Sequence, residues 1–251
     1  VAAHVADPVA AQDVVGATLA GHAVLPAFSF STPPADAPRE TFVSGKFLTA
    51  DDRVDTPFTV AQRTGLSTPF MGQPLQGFSG YAAARAEDGA LYALIDNGFG
   101  SKRNSPDVLL SFTRITPDFD TGGVDLIEQV WLRDPDHIVP FRIAHEATDG
   151  RYLTGADFDP ESIQRVGDTI WIGDEFGPFV LSTTLGGAVT GVYPVLLGAS
   201  ALRGPDNPAL RPPAPAGRAW RVPRSGGLEG MALQPGAGLL WTIFERPLLA
   251  R

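Results

Sequence analysis

The sequence predicts an all-β fold of the β-propeller type, and three observations carry that reading. Glycine (28) and proline (23) together make about a fifth of the 251 residues, which favours many turns over long helices. Apolar residues rarely recur at helical spacing. A segment of one design occurs three times: GFSGYAAARAEDGALYALIDNGFG from Gly77, DPESIQRVGDTIWIGDEFGPF from Asp159 and GLEGMALQPGAGLLWTIFERPL from Gly227.

Each copy opens with a small or acidic residue before a short apolar strand. A turn containing glycine and an aromatic-rich second strand follow, and an acid closes that strand: Asp96, Asp174 or Glu245. Ser79, Glu161 and Glu229 fall at one aligned position. The closing acids lie 78 and 71 residues apart, longer than the roughly 40–50 residues of common propeller repeats, so each blade carries insertions. Between the copies, DVLLSFTRITPDFD alternates like a strand. PFVLSTTLGGAVTGVYPVLL reads as two strands around Gly186-Gly187.

Residues 1–40 read as a partly irregular N-terminal segment, in which 11–20 has spacing for a helical turn or two. Residues 41–251 read as blades, with a proline-rich exposed loop at 203–218. Three repeats and one further blade's worth of strands give three to four blades of a ring that has six when complete. The chain is therefore expected to be the N-terminal portion of a longer propeller, or to be completed by a C-terminal fragment. Open sheet edges would favour self-association.

Hydrophobic content of 43% with 19% charged residues is that of a globular protein. A formal charge of -9 argues against nucleic acid as a partner, since phosphate backbones need clustered Lys and Arg. No apolar run approaches the roughly 20 residues of a membrane helix. The chain has no cysteine and only four histidines, scattered at 4, 22, 137 and 145, which disfavours zinc and thiol chemistry. His137 and His145 read as loop residues.

The acids are the feature that needs explaining, because carboxylates beside a sheet core are costly unless paired, protonated or bound to a cation. Innermost propeller strands converge at one mouth, so acids at equivalent repeat positions meet there. Asp96, Asn97, Asp157, Glu161, Asp174, Glu175 and Glu229 form the candidate metal set, suited to calcium with its six to eight oxygen ligands. Any one of them equally suits a turn cap. Asp159 and Asp168 look most like turn residues. Lys102, Arg103 and Asn104, in the polar loop NGFGSKRNSPD, are candidates for holding an anionic substrate group. Trp171, Phe176, Phe179, Trp241 and Phe244 read as packing between blades.

The blocks GFSG, LIDNGFG, NSPDVLLSFTRITPDF, RYLTGADFDPESI, TIWIGDEFGPF and GLEGMA resemble the phytase-like family, described as having esterase-like activity of phytase. The resemblance runs from about Gly77 to Pro247. It implies a β-propeller and an exported bacterial protein, extracellular or periplasmic. Three functions follow as expectations. The first is a calcium-dependent hydrolase of small phosphoric esters with Glu161 or Asp174 as general base. The others are a calcium-dependent esterase or lactonase, and a non-catalytic propeller that binds a ligand or partner.

Overall fold

In the computed structural model, residues 16–47, 58–61, 66–75, 77–208, 210 and 220–250 are described. The architecture is all-β, and the one helix among these residues is a short 3-10 turn, Arg39–Phe42. The helical turn expected at 11–20 falls partly outside them, and residues 16–20 have no regular structure. Most of the proline-rich stretch, 209 and 211–218, also lies outside them. No described helix is long and apolar enough to cross a membrane.

Two four-stranded antiparallel sheets and one hairpin form the body. The first sheet runs in order through β1 (Phe78–Tyr81), β2 (Leu91–Ile95), β3 (Ser111–Asp118) and β4 (Gly123–Trp131). The second holds β5 (Pro160–Val166), β6 (Thr169–Asp174), β7 (Phe179–Thr184) and β8 (Val189–Pro194). The hairpin pairs β9 (Leu228–Gln234) with β10 (Leu239–Phe244). The three sequence repeats are therefore the first two strands of each unit. This succession of antiparallel sheets is consistent with part of a propeller, and no closed ring is present among the described residues.

Local sequence explains the strands. In β6, Ile170 and Ile172 turn inward while Thr169 and Trp171 stay half-buried, the period-2 pattern of a sheet with one face in the core. Val166 pairs with Thr169, leaving only Gly167 and Asp168 in the loop. Gly167 takes φ 61°, the left-handed conformation that such tight hairpins require.

The core lies between the first two sheets. Leu94, Leu110, Phe112 and Leu132 from one side meet Phe158, Ile163, Ile170, Ile172 and Leu181 from the other, all essentially without solvent access. Phe158 meets Phe141 and Phe179 at ring separations of 5.3 and 6.1 Å. Phe179 thus packs as the sequence suggested. Trp241 does not: it is 61% exposed, because no described element covers that face of the hairpin.

Shorter strands link the N-terminal segment to the rest. Phe30–Ser31 pairs with Gln73–Pro74, and Val43–Ser44 with Phe70–Met71. Chain before residue 40 is thereby tied to chain well after it. A buried Lys46–Asp107 ion pair (3.2 Å) and the Tyr152 hydroxyl donating to Asp36 (2.9 Å) fasten this layer to the first sheet's loops.

The first strands β1, β5 and β9 lie side by side, β5 in the middle. Gln164 joins all three: its Oε1 accepts the Ala83 N–H (3.1 Å) and its Nε2 donates to the Met231 carbonyl (3.0 Å). Both ends of this buried amide are satisfied, which makes it a fixed spacer between units.

Candidate functional site

Each of the three inner strands contains the same irregularity at its start. Phe78 faces Ile95 while Gly80 faces Leu94, leaving Ser79 as an extra residue. Pro160 faces Asp174 and Ser162 faces Gly173, leaving Glu161. Leu228 faces Phe244 and Gly230 faces Ile243, leaving Glu229. A bulge of this kind bends the strand and re-aims one side chain. The aligned position found in the sequence is thus a repeated β-bulge.

The partner strand supplies a second acid. The N–H of Asp96 bonds the Gly77 carbonyl (2.9 Å), that of Glu175 the Asp159 carbonyl (2.9 Å), and that of Glu245 the Gly227 carbonyl (3.0 Å). Hydrogen bonding therefore makes Asp96, Glu175 and Glu245 equivalent, which corrects the sequence alignment: Asp174 lies one residue earlier, at the level of Ile95 and Phe244. Asp159 takes the place that glycine holds in the other two copies.

Six carboxylates result, in two groups. Asp96, Asp159 and Glu161 each place an oxygen within 4.8 Å of one another, and so do Glu175, Glu229 and Glu245. Asp159 joins the groups, because it lies within hydrogen-bonding reach of both Asp96 and Glu175. Close approach of the units depends on Gly227, where any Cβ would overlap the backbone of Glu175.

Burial and repulsion from neighbouring acids push Asp159, Glu161, Glu175 and Glu229 toward their protonated forms. Glu161 rises to about 8, through burial first and then the charge of Asp96, against a hydrogen bond from Ser79. Asp159 is driven up strongly by burial and by Asp96, Glu161 and Asp174. Glu175 rises through burial, with Glu245 and Glu229 adding to it, and the exposed Glu229 rises for the same two reasons, burial and a neighbouring acid. Asp159 Oδ1 is buried and accepts no hydrogen bond. A buried carboxylate oxygen without a donor, among other carboxylates, has the chemistry of a cation ligand. The all-oxygen donor set matches a hard ion such as calcium.

Other sequence candidates stand elsewhere. Asp157 is committed to the Thr154 N–H (2.8 Å), the Thr154 hydroxyl (3.0 Å) and the Ala144 N–H (2.7 Å). Asp174, fully buried, accepts N–H bonds from Asp159 (2.8 Å), Phe176 (3.3 Å) and Gly177 (2.7 Å). Both carboxylates hold loops and are not members of the two groups. Asn97 caps its own loop, Oδ1 accepting the Gly100 N–H at 2.8 Å, while its buried Nδ2 has no partner.

Of the loop cations, Lys102 is the one turned inward. Its ammonium lies over the Phe176 ring (5.1 Å) and its pKa is lowered by burial, partly offset by Asp174, Asp157, Asp206 and Asp159. Arg103 is exposed. Asn104 donates to the Phe99 carbonyl (3.3 Å) and so shapes the loop. The described histidines, 22, 137 and 145, are outside the groups: the His145 ring contacts Glu40 (3.3 Å) and the Pro106 carbonyl (3.1 Å).

The sequence reading left two acids out of the ligand set. Asp159 precedes Pro160 and looks like a turn residue in sequence, yet the repeat alignment sets it opposite Gly77 and Gly227. Glu245 was visible as the acid closing the third repeat.

No curated protein and no solved structure matches the chain. The model of the phytase-like family, described as esterase-like activity of phytase, matches residues 73–251. That match takes in all three inner strands, their bulges and all six clustered acids, and covers well over half of the sequence: the chain belongs to the phytase-like family.

Proposed function

We propose that this protein is a hydrolase of small phosphoric esters that works with calcium, held by carboxylates at the start of its inner strands, in a phytase-like propeller. The observation that carries the reading is the buried Asp159 Oδ1, which accepts no hydrogen bond and is grouped with the carboxylates of Asp96 and Glu161. Family membership supports a hydrolase-like function, and the blade-like sheets support the propeller.

Asp96, Asp159 and Glu161 would hold one ion, and Glu175, Glu229 and Glu245 offer oxygens for another. Bound calcium would supply positive charge against the substrate phosphate and make a neighbouring water more acidic. Glu161 is the general base of the proposal: it is half-buried, accepts a hydrogen bond from Ser79, and has the proton affinity suited to work near neutral pH. Asp174 positions the 175–178 turn instead of exchanging protons. Lys102 offers a cation to the phosphate at the rim, with Arg103 and Asn104 on the same loop. An extracellular or periplasmic setting belongs to the proposal, since weak calcium sites fill where calcium is abundant.

A carboxylic ester or lactone is the second reading. The esterase wording of the family and the apolar rings of Phe176 and Phe179 beside the acids favour it. The test is to strip the protein with chelator, restore calcium, and compare a phosphomonoester, an aryl ester and a lactone. Calcium-dependent turnover of the phosphomonoester above the other two is expected. Calcium that changes neither thermal stability nor hydrolysis of any of the three would sink the proposal.

A further inference from the structure

A cavity of about 610 Å³ opens beside the acids but takes no part in holding them. It is lined by Pro140, Phe141, Arg142, Phe179, Pro194, Ala201, Leu202, Arg203, Asn207 and Pro208, of which five residues matter to the argument. Phe141 and Phe179 stack at 5.9 Å with an interplanar angle of 25° and form an apolar wall. Arg142 and Arg203 contribute two guanidinium groups, and neither makes an ion pair among the described residues. Asn207 is buried and braces the wall, its Nδ2 donating to the Gly177 carbonyl at 2.7 Å.

Strand register fixes where this cavity lies. Pro160, Asp174, Phe179 and Pro194 form one row across β5, β6, β7 and β8. The acids sit at the β5–β6 end of that row and the cavity at the β7–β8 end. Two strand spacings, about 10 Å, separate them on the same end of the sheet.

The volume is that of a small-molecule pocket. Arg142 and Arg203 are both exposed, so their guanidinium groups at the cavity are accessible to a ligand. The nearest acid of the same loop, Asp206, is already bonded to Arg224. A flat apolar wall with two forked cations beside it matches an aromatic ring bearing an acidic group.

We infer that this cavity is a binding site for aromatic carboxylates, with the ring against Phe141 and Phe179 and the carboxylate between Arg142 and Arg203. The site needs neither calcium nor turnover, so it stands or falls separately from the proposed hydrolysis. Its nearness to the acids makes it a place where an aromatic acid would modulate or extend what binds there.

The test is equilibrium binding of 2-naphthoate to the full chain in chelator, by titration calorimetry and ligand-observed NMR. Wild type is expected to bind with a Kd of about 1 mM or tighter. The double variant R142Q/R203Q should weaken binding by about tenfold or more, and the conservative F141L by several-fold, while R246Q, on the third hairpin, leaves it unchanged. Circular dichroism of each variant checks that it folds. Absence of naphthoate binding to wild type overturns the inference, and so does equal binding to R142Q/R203Q. Equal affinity for the neutral 2-naphthalenemethanol removes the role given to the arginines and overturns it as well.

Discussion

Replacing Glu161 by glutamine should stabilise the calcium-free protein and at the same time remove most of its response to calcium. Glutamine keeps the size of the side chain and an acceptor for Ser79, and deletes only the charge. In the folded state Glu161 holds its proton up to about pH 8, against an ordinary value of 4.5 in the unfolded chain. Between those two values the folded chain carries a proton that the unfolded chain has released. Stability therefore falls as pH rises through that window, and the deficit is complete above about pH 8. The gap between those two values sets a ceiling of about 5 kcal/mol. Glu161 is only half-buried, and solvent screening reduces the figure to about 2 kcal/mol. For a domain of this size that is about 4–8 °C in Tm. Calorimetric melts in chelator should show wild type losing this amount between pH 5 and pH 9 relative to E161Q. With calcium restored at pH 9 the order reverses, because wild type gains and E161Q barely moves. An E161Q protein that melts no higher than wild type at pH 9 in chelator would show that the acids do not repel one another as the geometry requires.

Calcium added to stripped wild type at a hundred times its Kd should raise stability by about 2.7 kcal/mol. Proton release, measured by calorimetry in buffers of different ionisation enthalpy, should accompany it at pH 7, and D159N should lose most of both signals. Phe158→Ala empties the centre of the aromatic core and should cost about 3–5 kcal/mol in urea unfolding, leaving the calcium response of the folded fraction intact. Gly227→Ala forces β9 away from the Glu175 backbone. It should weaken calcium binding by far more than its own loss of stability explains, read by comparing calcium titration with the chelator melt.

How far the sequence foretold this molecule can be judged residue by residue. The three repeats were legible because a strand, a glycine turn and an aromatic strand recur with period-2 burial. They became the first hairpins of three successive units. Convergence of Asp96, Glu161, Glu175 and Glu229 followed from the same alignment. What stayed hidden was register. Asp174 and Glu175 are adjacent in sequence, and only the Glu175 N–H bond to Asp159 decides which of them matches Asp96. Asp157 illustrates a second limit: its commitment to Thr154 and Ala144 depends on a loop whose path is set by tertiary packing. The cavity beside Phe141 and Phe179 left no trace in the sequence, since its lining comes from the 140–142 and 201–208 segments and the ends of β7 and β8.

The shared bulge has a consequence for how such a protein can change over generations. An extra residue outside the ladder contributes neither a backbone pair nor a core side chain, so mutation there leaves strand pairing and core packing intact. Ser79 occupies in one unit the position that glutamate holds in the other two, and β1 and β2 still pair around it. Each of the three units thus carries one adjustable seat at the start of its first strand, outside the packing behind it. New ligand preferences can arise by refilling the seats one at a time, without any renegotiation of the fold that supports them.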